Sequence, residues 1–407
     1  MTPSLDAMDV DAMKDRLSVE VDRHAEGLID ASHRIHEHPE LLFEERFAAE
    51  LLCDMLEGAG FDVERGAYGL ETAFAARAGS EGPTIAVLCE YDALPGIGHG
   101  CGHNIIATAG LGAGLAAAAL ADQAGGRLVV LGTPAEEGGG GKIYMGEAGA
   151  FDGVDAALMV HPADQDLLEM NVIAIATWEV EYFGEAAHAA AFPHLGRNAL
   201  DAAVLGYNAV AALRQHIKPN ERVHGVFTEA GHKPNIVPDH TVAEWYVRSG
   251  TIASLQPLKE RVLACLQAGA DAAGCRMEHR ATCPEYSDLR TNGPMAELYL
   301  ANAERVGRTP VRSPENGVVG STDMGNVSYL VPSIHPMIKV APPGVAIHTK
   351  GFAEWAQAPE GDQAVLDGAK AMAMTVADLW LRPDVLDAAR RAFEADDAIR
   401  AAMASES

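Results

Sequence analysis

The sequence predicts an α/β protein: a mostly parallel sheet with helices on both faces, interrupted by an inserted α+β domain. Three observations carry this. Short apolar runs alternate with helical stretches early in the chain. Near residue 172 the texture changes to longer, partly alternating strands. Near residue 293 the first texture returns. A length of 407 residues suits two domains. The boundaries fall at 1–172 and 293–407 for the body and at 173–292 for the insertion.

Residues 7–57 read as helical, with Pro39 just inside a start after His38 and apolar residues at helical spacing from Glu44 to Glu57. Thr84–Cys89, Arg127–Leu131 and Ala156–Val160 are continuous apolar runs of strand length, with a helix over 104–121 between the first two. Strand, helix, strand at that spacing implies parallel pairing. In the insertion, a strand at Val172–Phe183 precedes a helix over 198–216. Strands near Val223–Thr228 and Thr241–Arg248 and a helix over 255–273 follow, an order that suits an antiparallel sheet covered on one face. The body resumes with a helix over 294–306, a glycine-rich turn at 320–325, a strand over 333–340 and a helix over 363–381. A charged helical tail covers 383–402.

Asp and Glu number 58 against 30 Lys and Arg, a formal charge of −28. Phosphate backbones and anionic membrane surfaces repel such a chain, so nucleic acid and membranes are excluded as expected partners. Acidic residues stand near the start where a signal peptide would carry bases, and no apolar stretch follows. The uncharged run 105–121 is mostly Ala and Gly and reads as a buried helix, so a cytoplasmic location is expected. In a reducing compartment the six cysteines are free thiols or metal ligands.

Two glycine-rich stretches fail as phosphate loops. Glu136 stands where a phosphate loop ending at Lys142 needs its first Gly, and Ile143 where it needs Ser or Thr. Gly96–His103 lacks the dinucleotide spacing and holds Cys and His instead.

The informative pattern is where ligand-type residues fall. The first strand of the body runs into Glu90-Tyr91-Asp92, then His99, Cys101 and His103. The second runs into Glu136-Glu137 and the third into His161-Pro162. In an open parallel sheet these all reach one edge, where ligands bind. Cys101 and His103 converge only if Gly98, Gly100 and Gly102 shape an irregular loop. Thiolate, imidazole and carboxylate together suit zinc or another first-row ion rather than calcium or magnesium. Adjacent Glu136 and Glu137 repel unless a cation intervenes. A hydrolase that activates water on a metal needs one carboxylate as ligand and another as proton shuttle. His33, His36 and His38 read as packing and capping; Cys53, Cys89, Cys265, Cys275 and Cys283 read as structural thiols. His188 and His348, taken alone, fit packing as well as function.

The segments EYDALPGIGHGCGHNIIA, GTPAEEGGGGKI, His161-Pro162, FGEAAHAA, NIVPD, GSTDMGNVS and IHTKGF together resemble the metallo-aminoacylase/carboxypeptidase family of co-catalytic metal amidohydrolases, in its Cys-Gly-His subgroup. The resemblance runs from about residue 30 to 380 in the family's motif order. It implies two divalent metal ions, zinc first, with manganese or cobalt as alternatives, held by Cys101, His103, Glu137, His161 and His348. It implies Glu136 as general base, and Asp92 as a carboxylate orienting a ligand from behind. It implies His188 as an oxyanion donor reaching from the insertion, a lid, across a homodimer interface. Asn235 and Arg248 would hold a substrate carboxylate, and Ser321 and Thr322 would line the pocket from the body. Other branches place a His ligand where Glu90 stands, so Glu90 is not taken as a ligand and Cys101 becomes the bridging one. The activity implied is cleavage of an amide bond in a dipeptide or aminoacyl amino acid. An N-acyl amino-acid deacylase is the enzymatic alternative and a non-catalytic metal- or peptide-binding protein the alternative of another class. A cysteine hydrolase using Cys101 and His103 is disfavoured by their spacing.

Overall fold

A computed structural model describes residues 10–313 and 319–405. The expected helical residues 7–9 lie outside the described residues. The chain divides into two compact units: Met1–Asn171, Leu289–Val319 and Asp323–Ser407 form the first, and Val172–Asp288 with Gly320–Thr322 the second. Ser321 and Thr322, expected with the body, cluster with the second unit instead. The physical reason is local: Ser321 Oγ donates to the Ile173 carbonyl at 2.8 Å and accepts from Arg248 Nη1 at 3.0 Å.

The first unit is built on six strands. They are β1 (Asp62–Arg65), β2 (Phe74–Ala78), β3 (Thr84–Glu90), β4 (Arg127–Thr133), β5 (Ala156–Leu158) and the short strand Ser333–Ile334. Their spatial order is β1-β2-β4-β3-β5 and then Ser333–Ile334. The pairs β3–β4 and β3–β5 are parallel, as is β5 with Ser333–Ile334; β1–β2 and β2–β4 are antiparallel. The apolar runs of β3 and β4 are buried on both faces because alternate residues serve different cores. Ile85, Val87, Cys89, Leu128 and Val130 join one cluster; Ala86, Leu88, Val129 and Leu131 join the other. Helices α1 (Val10–Glu37) and α3 (His103–Ala118), with Pro359–Leu381, cover the first of these faces. Met145, Met324 and Val327, from two short helices, cover the second. A Cβ on Gly110 would lie 2.6 Å from Cys89 Sγ, and one on Gly114 would lie 2.5 Å from Val130 Cγ2. Glycine there lets α3 sit directly on the sheet.

Two further expectations change. The opening helix is two helices, α1 and α2 (Arg46–Gly58). Pro39 cannot donate to a continuing ladder, and the Glu40 carboxylate accepts from Phe47 and Ala48 N at 3.0 and 3.1 Å, which sets the start of α2. The expected strand over 333–340 breaks at His335-Pro336. Ser333–Ile334 pairs with β5, whereas Met337–Lys339 pairs with His161–Ala163.

In the second unit four antiparallel strands run in the order Arg276–Ala281, Ala174–Phe183, His240–Ser249, Arg222–Glu229. The helices Ala199–Leu213 and Ile252–Ala273 bury one sheet face around Trp178, Tyr182 and Trp245. Asn198 caps the first of these helices and Thr251 with Ser254 caps the second.

Candidate metal centre and active site

Parallel pairing of β3 and β4 brings their carboxyl ends to one edge. Asp92 follows β3 by two residues, and Glu136 and Glu137 follow β4 by three and four. The Glu136-Glu137 turn is strained and cinched: Ala135 has φ +59 and its carbonyl accepts from Gly139 and Gly140 N at 3.1 and 2.8 Å. Its own N–H donates to the buried Glu45 carboxylate at 2.9 Å. Cys101 ends the irregular loop, His103 opens α3, and His161 begins the strand His161–Ala163. His348, at φ +64, is anchored by its N–H donating to the Gly100 carbonyl at 2.8 Å.

These residues converge. Donor atoms of Cys101, His103 and His161 lie within 4.8 Å of one another, and so do those of Cys101, Glu137 and His348. The Cys101 sulfur is common to both triads. It lies 3.4 Å from His161 Nε2, and His348 Nε2 lies 3.4 Å from Glu137 Oε1. His103 Nε2 is 3.8 Å from Glu137 Oε1 and 3.9 Å from Glu136 Oε2. Asp92 sits behind, one oxygen 2.9 Å from His103 Nδ1 and the other accepting from Glu137 N at 2.9 Å.

The donors fit a metal. His103 Nε2 is buried and has no hydrogen-bond partner among the described residues, while Nδ1 is held by Asp92. That arrangement fixes the ring and presents a lone pair to an ion. Imidazoles, a carboxylate and a thiol are the donors zinc takes.

The two neighbouring glutamates have opposite environments. Burial, with the charges of Glu90 and Glu137, pushes the Glu136 carboxyl well above its ordinary range. Burial also opposes ionisation of Glu137, but the hydrogen bond from His348 and the charge of His103 outweigh it, and this carboxyl is held down. Pairs of titratable groups driven apart in this way divide acid and base roles. Burial lowers His161 to about 4, which keeps its ring neutral and able to donate a lone pair.

Behind the triads lies a buried polar cluster to which the sequence alone assigns no role. Lys142 Nζ is 2.5 Å from Glu90 Oε1 and 2.7 Å from Asp323 Oδ1. The ring of His335 is 5.5 Å from that of His161, and both its nitrogens are buried without a hydrogen-bond partner among the described residues. The His335-Pro336 dipeptide, which repeats the His161-Pro162 pattern, was the available sequence signal. His99, buried 5.9 Å from His36, joins neither triad, and His33, His36 and His38 hold Asp362, Ala353 O and Arg34 O.

In the second unit, His188 is exposed on the loop after Ala174–Phe183, its Nδ1 accepting from Ala190 and Ala191 N at 3.3 and 3.1 Å. Asn235 is brought beside it, its carbonyl accepting from Ala189 N at 3.1 Å. Arg248 is brought to Ser321, and Thr322 is buried.

Gly102 sets how the Cys101 loop enters α3. It has φ +78, and a Cβ there would lie 2.5 Å from Pro162 Cγ. Gly102→Ala is expected to lower stability by about 1–3 kcal/mol and to weaken metal retention, because the clash falls between Cys101, His103 and His161. Thermal unfolding with metal analysis checks both.

Residues 86–378 match the profile of peptidase family M20/M25/M40. The chain belongs to that family. Membership agrees with the motif resemblance, and it makes this M20/M25/M40 protein an amidohydrolase, an enzyme that cleaves amide bonds. It is 38% identical over 405 residues to the Xaa-Arg dipeptidase of Mus musculus, covering 95% of this chain and 94% of the relative. It is 30% identical to one chain of the p-aminobenzoyl-glutamate hydrolase of Escherichia coli (strain K12), covering 91% of this chain and 92% of the relative. Among solved structures, the aminobenzoyl-glutamate utilization protein of Klebsiella pneumoniae superposes with a TM-score of 0.71 at 21% identity, covering 90% of this chain and 99% of that one. A dinuclear metal-binding peptidase from Bacillus subtilis superposes with a TM-score of 0.63 at 20% identity, covering 86% and 98%. These likenesses show the fold, an α/β body with a parallel sheet. Among the described residues no helix is long and apolar enough to cross a membrane.

Proposed function

We propose that this M20/M25/M40 protein is a dipeptidase that uses two divalent metal ions, with zinc first. One ion is assigned to Cys101, His103 and His161, and the other to Cys101, Glu137 and His348. The observation that carries the reading is the Cys101 sulfur common to two donor triads, beside the Glu136 carboxylate, which stands outside both and groups instead with Glu90 and His103. A thiol donor favours zinc over harder ions, with manganese and cobalt as the alternatives. The near full-length similarity to an Xaa-Arg dipeptidase supports a dipeptide substrate. Similarity to an aminobenzoyl-glutamate hydrolase supports N-acyl amino acids as the second class.

Bound ions would polarise the scissile carbonyl and lower the pKa of a water. Glu136 takes the proton of that water and later delivers it to the leaving amine nitrogen. Asp92 keeps the His103 ring in one orientation by holding Nδ1. His188 donates to the developing oxyanion, and Asn235 and Arg248 bind the substrate carboxylate, with Ser321 and Thr322 beside them. We assign His188 to the neighbouring subunit of a homodimer formed through the second unit, a lid. Support for a dimer comes from the edge strand Arg222–Glu229, where Val226 is 59% exposed, and from the helix Ala199–Leu213, where Val204 and Leu205 are 41% and 43% exposed. Mixing His188→Ala dimers with Glu136→Gln dimers should restore part of the activity once subunits exchange. No recovery despite demonstrated exchange overturns the cross-subunit role. A cytoplasmic location fits six free cysteines.

The testing experiment is metal analysis together with a panel of dipeptides and N-acyl amino acids. Two equivalents of metal, loss of turnover on chelation and its return with zinc, manganese or cobalt are expected. Turnover that survives complete metal removal overturns the reading.

A further inference from the structure

We propose that Lys142 is a positioning residue whose ammonium acts as a built-in cation, holding Glu90 back from the metal centre. This rests on the metal reading above.

Glu90 is placed where it could ligate. One of its oxygens lies within 4.8 Å of donor atoms of His103 and Glu136, and Glu90 Oε2 is 3.7 Å from His103 Nε2. Its side chain is fully buried, so it has no route to solvent. A buried carboxylate needs a counter-charge, and two cations compete for this one: a bound metal ion and Lys142.

The lysine is supplied by the protein itself. Its Nζ lies 2.5 Å from Glu90 Oε1 and 2.7 Å from Asp323 Oδ1, with all three side chains fully buried. Asp323 grips Lys142 twice, because its other oxygen accepts from Lys142 N at 2.9 Å. The backbone before it is closely packed: a Cβ on the preceding Gly141 would stand 1.9 Å from the Pro134 carbonyl. Asp323 therefore keeps the Lys142 ammonium beside Glu90. Ion pairs buried this deeply are a poor source of stability, since desolvation offsets their attraction. Their value here is positional. Glu90 drawn onto the metal would fill the open position that a hydrolytic centre needs for water.

The test uses the metal-loaded enzyme and three variants, E90Q, K142M and E90Q/K142M. The readouts are metal content, the rate of metal release to a chelator, and kcat and KM taken separately. E90Q is expected to keep both equivalents and to release them at the wild-type rate. K142M is expected to release metal about tenfold more slowly, the scale on which groups behind a ligand tune a site, and to lose kcat more than it changes KM. E90Q/K142M is expected to return to wild-type release. Loss of an equivalent in E90Q makes Glu90 a ligand and overturns the proposal. So does wild-type release in folded K142M, or slow release persisting in the double variant. If K142M fails to fold, rescue of folding by E90Q/K142M with wild-type release supports the proposal, and a double variant that also fails to fold overturns it. A wild-type enzyme that holds no metal overturns the metal reading itself, which separates the two failures.

Discussion

Glu136→Gln is expected to lower kcat by about 10²–10⁴-fold, the usual contribution of a positioned acid–base group, while metal content and fold stay as in the wild type. Glu136 belongs to neither Cys101-containing triad, so an amide in its place leaves the sulfur, imidazole and Glu137 donors intact. Its exchange for Gln conserves shape in a residue that is only 7% exposed. A neutral amide there also adds no repulsion with the neighbouring carboxylates Glu90, Glu137 and Asp323. Loss of activity in this variant therefore reports proton transfer rather than collapse. The contrast is Glu137→Gln, which weakens the oxygen facing His348 and His103 and should lose metal as well as activity. Metal analysis and kcat measured on both variants separate the roles. Near-normal turnover in Glu136→Gln would remove it from the mechanism.

The parts of this molecule legible in its sequence are those with a local signal. β3, β4 and β5 are short apolar runs because both sheet faces are covered, and continuous hydrophobicity is what such strands require. Asp62–Arg65 and Arg276–Ala281 are sheet edges whose side chains are almost all exposed, so no apolar alternation marked them. Phe74–Ala78 is mostly alanine and reads equally as helix. The breaks at Pro39 and Pro336 illustrate a different limit. A proline announces an interruption, but the partners on either side decide whether a helix restarts or a strand changes sheets. In the site, Cys101, His103, Glu136, Glu137 and His161 were legible because each follows a strand end on one sheet edge. Lys142 and Asp323 were not. Their ion pair joins residues 181 positions apart, and the lysine stood out only as part of a failed phosphate loop.

Cys101→Ala is expected to have the widest effect on metal binding, because its sulfur is the one donor common to both triads. Removing His161 or His348 deprives one triad; removing Cys101 takes an anionic donor from both. Each triad is left with two protein ligands, fewer than the three or four that zinc sites use. A loss of affinity of at least about 100-fold is expected, beyond the range typical of groups that only orient ligands. Burial pushes the Cys101 thiol well above its ordinary pKa when no ion is bound, and only the thiolate ligates. Metal binding must therefore displace a proton there, and loading of the wild type should release protons that Cys101→Ala does not. Cys101→Asp keeps an anionic donor and should retain part of the metal. The control is Cys89→Ala, which removes a fully buried thiol from the core beneath α3 and leaves both triads untouched. Metal content after dialysis, proton release on loading and thermal unfolding, measured on all three variants, check the assignment. Full metal retention in Cys101→Ala would show that the two ions, if both are bound, do not share this sulfur.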